Sequence, residues 1–434
     1  MKQLRIGLFG LGVVGQGVVE QLRQNQGEIQ ARTGMDIHIV KAVTKNPAKP
    51  RKVDLSGIAL SADPDFILAD PDIDLVIELI GGLDQAQALV QKAFAQGKSV
   101  VTANKHLLAE RAETVFSSQA QSKGLFGYEA AVAGGIPVLR NLREGFAGEK
   151  ITHIAGIING TANYILTQMS KAKKDYQTAL AEAQAAGYAE ADPTFDVEGI
   201  DAAHKLLILM MLGFNAKFSF QDLYVEGITG IEPIDIEVAE EFGYEIKLLG
   251  KAIDHGTQVE GRVHPCLVSQ DEMLAWVQGA YNAVEVKGNF VGSNLAYGRG
   301  AGSHPTASAV VADVIAIARQ LDKAGQEVVP PMNLPWASLQ PKAILPMAEV
   351  ECPYYLRFTV ADQVGVLATI TKVLGEQGIS IGSMLQKGRD KALGVPVVIF
   401  THKAAEKAIR ASLNKIDQMD FIKKPTKLIR LHEA

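Results

Sequence analysis

The chain has 434 residues, and its 43 lysines and arginines against 48 acids give a formal net charge of −5, which argues against a nucleic-acid partner held by bulk positive charge. With 47% hydrophobic residues it is not a largely disordered chain. Two cysteines, Cys266 and Cys352, cannot build a disulfide framework and fit a reducing cytoplasm.

At about 150 residues per domain the length suggests three domains. No run reaches the ~18–20 apolar residues of a membrane span, and the N-terminus runs into a strand pattern with no signal-peptide core. A soluble cytoplasmic protein is expected, with no membrane partner.

The first 130 residues alternate short apolar runs with amphipathic stretches, the pattern of a parallel sheet with helical crossovers. Strands are predicted at 4–9, 37–43, 75–79, 99–102 and 125–128, and helices at 13–25, 85–96 and 107–122. The character changes near Lys150: a strand at 151–157 precedes helices at 162–171, 176–186 and 200–212. One more apolar helix, 307–320, is expected to return to the first domain. Five prolines within 330–346 predict a linker. Beyond it the pattern reads β-α-β-β-α-β, with elements at 354–360, 364–377, 379–386, 395–401, 404–413 and 427–431.

Gly10-Leu11-Gly12-Val13-Val14-Gly15 fits G-x-G-x-x-G between the first strand and the first helix. Gly10 permits the tight turn, Gly12 lets a pyrophosphate approach the backbone, and Gly15 allows close helix–strand packing. These are the features of a dinucleotide site. An acid ending the second strand would bind a ribose 2′-hydroxyl, but Asp36 precedes that strand. Its far end carries Thr44 and Lys45, with Lys49, Arg51 and Lys52 behind. That cluster suits a 2′-phosphate, and a solvated basic loop is the alternative.

Thr102-Ala103-Asn104-Lys105 ends a strand, so Lys105 is placed at the sheet's ligand-binding edge. Asn159-Gly160-Thr161 likewise joins a strand to a helix and offers a place for a carboxylate. Asp201 and Lys205 stand four apart on a predicted helix and share a face. On spacing alone they are either a reaction centre or a plain ion pair. His204 points about 100° away from Lys205 and reads as structural, as does Glu78 within its strand.

Together these segments resemble homoserine dehydrogenases of the monofunctional bacterial kind with a C-terminal ACT domain. The resemblance rests on Gly10–Gly15, Val101-Thr-Ala-Asn-Lys105, Glu129-Ala-Ala-Val-Ala-Gly-Gly-Ile-Pro137, Asn159-Gly-Thr-Ala-Asn-Tyr164, Gly187-Tyr-Ala-Glu190 running on to Asp201 and Lys205, and Gly300-Ala-Gly302. It implies an α/β protein: a Rossmann-type doubly wound parallel sheet over 1–135, with 303–325 returning to it. It also implies an α+β substrate and dimerisation domain over 136–302, a linker at 326–350 and a ferredoxin-like βαββαβ ACT domain over 351–434.

The implied reaction is the NAD(P)-linked interconversion of L-homoserine and L-aspartate 4-semialdehyde, with NADP expected and NAD possible. Lys205 is the implied acid/base, Lys105 a second lysine that also meets the cofactor, and Asp201 their orienting group. Gly302 adds a late turn at the cofactor. Glu190 is implied to bind the substrate ammonium, with Gly160, Thr161, Tyr188 and Asp196 lining the site. Backbone oxygens of Glu129, Val132, Gly134 and Ile136 are implied sodium ligands. An amino-acid effector such as threonine is expected at the turn 362–367, and a homodimer or homotetramer is expected. A related amino-acid dehydrogenase, separable by a substrate panel, and a non-catalytic nucleotide and amino-acid sensor are the other readings; the sensor would not need Lys105, Asp201 and Lys205 together.

Overall fold

The computed structural model describes residues 2–321, 329–387 and 394–433. The parts of the expected returning helix and linker that fall within 322–328 lie outside the described residues. Backbone packing divides the chain into two compact units. One comprises Met1–Gly160, Asp201–Gln221 and Ala280–Lys342, and the other Thr161–Ile200, Asp222–Gly279 and Ala343–Ala434. The expected middle domain, 136–302, is therefore shared between them.

In the first unit six parallel strands pair in the order β3-β2-β1-β4-β5-β6. They are β1 (Lys2–Phe9), β2 (Met35–Val43), β3 (Ala59–Ser61), β4 (Leu75–Glu78), β5 (Ser99–Thr102) and β6 (Phe126–Gly127). All residues of β4 and β5 are buried, as expected for a parallel sheet covered on both faces. The order reverses between β1 and β4, which opens a crevice at their carboxyl ends. The unit adds antiparallel strands β7 (Ile151–Ile157), β8 (Tyr281–Gly288) and β9 (Gly292–Arg299).

Its main helices are α1 (Val13–Gln24), α2 (Gln26–Thr33), α3 (Asp84–Ala95), α4 (Lys105–Glu110), α5 (Ala112–Ala120), α6 (Ile200–Gly213) and α7 (Ser303–Leu321). The core joins Leu4, Ile6 and Leu8 of β1 to Val18 and Val19 of α1 and to Val310 and Val314 of α7. Helix α7 does return to the sheet. It begins earlier than expected because Pro305 falls in its first turn, where a missing N–H costs nothing. The single helix expected at 107–122 is instead two, parted at Arg111. Short β3 and the polar helix α2 went unpredicted. Among the described residues no helix is long and apolar enough to cross a membrane.

The proline-rich stretch is not a free linker. In the first unit buried Trp336 stacks on Phe116 at 4.9 Å, the Tyr128 hydroxyl donates to the Pro331 carbonyl, and Gln340–Pro341 pairs with Ala216–Lys217. In the second unit Ala343–Ile344 pairs with Gln258–Ser269.

The second unit is built on a long antiparallel hairpin, Tyr244–Asp254 with Gln258–Ser269. The last strand, Ile422–Leu431, adds to it in parallel through Cys266 and Leu267. Strands Tyr354–Val360, Val395–Thr401 and Ile381–Gln386 follow, all antiparallel. Helices Val366–Glu376 and Glu406–Ile416 contribute Val366, Ile370, Ile409 and Leu413 to their core. The expected βαββαβ order is present, and its sheet continues into the hairpin through Cys266 and Leu267. Asp235, fully buried, accepts from the Tyr355 hydroxyl at 2.8 Å and pairs with Arg357 at 2.7 Å.

Candidate active site

The glycine turn has the shape a dinucleotide needs. Gly10 has φ +101° and donates its N–H to the Val43 carbonyl at 3.0 Å. A Cβ on Gly15 would lie 2.0 Å from the Gly10 carbonyl, so only glycine lets α1 start this close to β1. A Cβ on Gly12 would meet nothing within 4 Å, and Val13 beside it is exposed, so the amino end of α1 is open to a ligand. Leu11 is buried and Val14 packs against the core, anchoring the turn from below. Gly302, at φ +118°, precedes Ser303, whose hydroxyl donates to the Val13 carbonyl at 2.7 Å. The expected late turn therefore braces the first.

At the end of β2 Lys45 is exposed. Arg51 folds back onto the loop and donates to Thr44 Oγ1 at 3.1 Å and to the Asn46 carbonyl at 2.7 Å. Asp36 lies at the opposite end of the strand and pairs with His38.

Lys105 is placed by a chain of buried polar contacts. Glu78 accepts from Thr102 Oγ1 at 2.6 Å and from the N–H groups of Ile80 and Gly81. Thr102 Oγ1 also accepts from the Asn104 N–H, and the Asn104 side chain caps α4 by accepting from the Leu107 N–H. Lys105 is the first residue of that helix. Its ammonium pairs with Asp201 Oδ1 at 3.0 Å.

Lys205 Nζ reaches Asp201 Oδ2 at 2.6 Å and the Ile158 carbonyl at 2.8 Å. Asn159 Nδ2 donates to Asp201 Oδ2 at 2.8 Å. The Asp201 carboxyl is fully enclosed. Burial alone would raise its pKa, but the ammoniums of Lys205 and Lys105 and the donated hydrogen bonds hold it well below the usual carboxylate range. The arrangement is a buried carboxylate clasped between two lysines. Lys205 is the more enclosed (11% side-chain exposure) and Lys105 the more open (36%).

His204 faces away from the lysines, as expected. It lies 3.2 Å from Glu110 and stacks on His106, both from α4. Burial, ahead of neighbouring charges, lowers the pKa of both imidazoles.

In the loop after β6, Glu129, Val132, Gly134 and Ile136 are all buried, and Ala133 and Gly134 both take left-handed backbone angles. The Glu129 and Ile136 carbonyls each accept one backbone N–H, from Val132 and Val138, and each keeps a lone pair. The Glu129 carboxyl accepts from the N–H groups of Leu139 and Arg140. Burial and the adjacent Asp313 push its pKa up to about 7.

Within the second unit Thr161 Oγ1 donates to the Tyr188 carbonyl at 2.7 Å, and the Tyr188 ring packs on Tyr164. Glu190 is exposed and Asp196 half-buried. Gly160 opens the helix Gly160–Lys171.

Family models match three stretches: residues 10–127 as the NAD binding domain of homoserine dehydrogenase, 137–315 as homoserine dehydrogenase, and 354–419 as an ACT domain. The homoserine dehydrogenase of Neisseria gonorrhoeae is 44% identical over 431 residues, 99% of each chain. The chain belongs to the homoserine dehydrogenase family. The enzyme of Pseudomonas aeruginosa is 42% identical over the whole of both chains. The solved homoserine dehydrogenase of Thiobacillus denitrificans superposes with a TM-score of 0.95 at 44% identity, over 100% of this chain and 99% of that one.

Within this family's frame, Lys105, Asp201 and Lys205 are brought together as the motifs implied. Asn159, in the turn expected to receive a ligand carboxylate, donates to Asp201 instead. His106 and Glu110 were not singled out, although their i, i+4 spacing was a visible signal.

Proposed function

We propose that this chain, an oxidoreductase of the homoserine dehydrogenase family, interconverts L-homoserine and L-aspartate 4-semialdehyde, with Lys205 moving the proton. The observation that carries this is the clasp of Lys105, three residues beyond β5, with Asp201 and Lys205, whose ammonium also meets the carbonyl of Ile158, the residue after β7. The glycine turn fits a nicotinamide dinucleotide, which when bound exchanges a hydride with the hydroxyl-bearing carbon.

Two ammoniums around one carboxylate carry a net charge of +1. Lys205 can therefore take up the hydroxyl proton from a neutral state and still leave Asp201 paired with Lys105. In the reverse direction its ammonium returns the proton to the aldehyde oxygen. Asp201 stays ionised throughout and fixes both Nζ atoms. Lys105, more open to solvent, is the second cation beside the developing alkoxide and faces the cofactor. Glu190 is proposed to bind the substrate ammonium, with Gly160, Thr161, Tyr188 and Asp196 contacting the amino-acid end.

NADP is the proposed preference, supported by exposed Lys45 and by the lack of an acid ending β2. Sodium is proposed at the carbonyls of Glu129, Val132, Gly134 and Ile136, whose all-oxygen donors suit a hard cation. The test is a higher thermal midpoint in sodium than in choline chloride at equal ionic strength. An amino-acid effector, threonine foremost, is proposed at the turn where Gly365, at φ +91°, opens the helix Val366–Glu376. Assembly as a homodimer or homotetramer is supported by exposed Phe290, Val291 and the stacked pair Tyr281 and Tyr297 on strands β8 and β9 and their turn. The free thiols Cys266 and Cys352 support a cytoplasmic setting.

The deciding experiment is the reduction of NADP and of NAD by a panel of hydroxy-amino acids. Homoserine is expected to give far the fastest turnover. Equal rates with a shorter or longer homologue overturn the substrate reading.

A further inference from the structure

Helices α4 and α6 bring together a second set of ligating side chains. His106 and Glu110 stand four apart on α4 and point to one side. His204 approaches from α6. One ligand atom of each lies within 4.8 Å of the others. His204 Nε2 is 3.2 Å from Glu110 Oε1, and the His106 and His204 rings stack with centroids 4.8 Å apart at 27°. The His204 side chain is closed in (2% exposed), with Phe220 packed on its ring at 4.5 Å. Glu110 is 21% exposed and His106 half-buried, so the cluster has a rigid floor and an open side.

We propose that His106, Glu110 and His204 form a binding site for one divalent transition ion of the zinc class. Two imidazoles and one carboxylate are the donor set for borderline ions, whereas calcium and magnesium take oxygen alone. Three protein ligands leave a fourth position for water. Tetrahedral bonds of about 2.1 Å put donors about 3.4 Å apart. The cluster reaches that by rotating His106 and Glu110 on the open side, while His204 stays fixed.

A plain hydrogen bond between Glu110 and His204 needs no donor from His106, so substitution of His106 separates the two readings. The consequence concerns the reaction centre: the neighbours of His106 and His204 are Lys105 and Lys205. An ion here staples α4 to α6 and holds the two helices that clasp Asp201 at one separation.

The test uses the full-length protein stripped of metal and reads binding, so it is independent of the proposed substrate. Zinc is titrated by calorimetry, and cobalt(II) by the visible absorption of a four-coordinate ion. One saturable zinc ion per chain is expected, with the cobalt absorption and a higher unfolding temperature in zinc. His106→Ala and Glu110→Gln lie on the open side and are expected to fold, which their melting curves without metal check. Each is expected to weaken zinc at least ~10-fold. No saturable zinc binding by the native chain, or native affinity in His106→Ala, overturns the proposal.

Discussion

Asp201 sits at the meeting point of two cations, and replacing any member of the clasp should have a distinct effect. Lys205→Ala is expected to lower kcat by at least ~10²-fold while leaving cofactor affinity nearly unchanged, the scale of a positioned acid/base. Lys205→Arg keeps the charge but cannot give up a proton at ordinary pH, so it should be nearly as inactive. Near-normal kcat in either variant removes Lys205 from proton transfer. Asp201→Asn tests the carboxylate. Because the folded pKa of Asp201 lies below its unfolded value, the stability it contributes is complete above about pH 4 and is lost as pH falls further. Acid unfolding followed by circular dichroism should therefore be less steep below pH 4 in Asp201→Asn than in the native chain. Asp201 and Lys205 were legible as a pair because helical spacing is local. That Lys105 joins them came from the family resemblance and not from spacing, because α4 and α6 meet only in the tertiary fold.

Elements show how a polar residue at a terminus sets catalytic geometry. Asn104 caps α4 one residue before Lys105, and its amide also donates to the Gly82 carbonyl at 2.8 Å. Asn104→Ala is expected to cost about 1 kcal/mol in denaturant unfolding and to lower kcat more than it changes KM, because Lys105 loses its anchorage. At the end of β2, Lys45→Glu should reverse the preference between NADP and NAD. The lost charge-assisted contact is worth about 1.5–3 kcal/mol, or one to two decades in the ratio of kcat/KM. Equal kcat/KM for both cofactors in the native protein rejects the role of Lys45. Element type was readable wherever apolar periodicity was strong, as in α1 and β5. Boundaries failed where a proline looked like a breaker: Pro305 lies inside α7, and Pro425 lies within Ile422–Leu431 near a register shift. The break at Arg111 has no such local mark.

At the scale of the molecule, the terminal βαββαβ portion is a structural part of the second unit. Asp235 is fully buried, and its carboxylate is held by Arg357, the Tyr355 hydroxyl and the Glu232 N–H. Arg357→Leu should cost about 3–5 kcal/mol, since it leaves a buried carboxylate without its partner. A chain ending near Met347 removes that partner and the strands beyond the hairpin together. It is expected to lose cooperative unfolding of the second unit, not to survive as a trimmed enzyme, and calorimetric melting would show this. The proposed binding of threonine is therefore better probed in the full chain at the turn after Tyr354–Val360 than by truncation. The domain plan in the sequence was clear in kind, because periods of two and of 3.6 residues mark strands and helices. The linkage was hidden, because strand pairing between distant segments leaves no local pattern.

The parallel seating of Ile422–Leu431 on Gln258–Ser269 has a bearing on how the protein is made. Synthesis runs from the amino end, so the hairpin leaves the ribosome long before the strand that covers its edge. The first unit waits too, since α7 completes the core around β1. Neither unit can close while the chain is half made, and non-local pairings of this kind form slowly. Through that interval the Cys266–Leu267 stretch of that edge is an open template for a neighbouring nascent chain. Newly made protein should accordingly depend on holding chaperones, and slowing the supply of the last segment should raise aggregation far more than slowing the first.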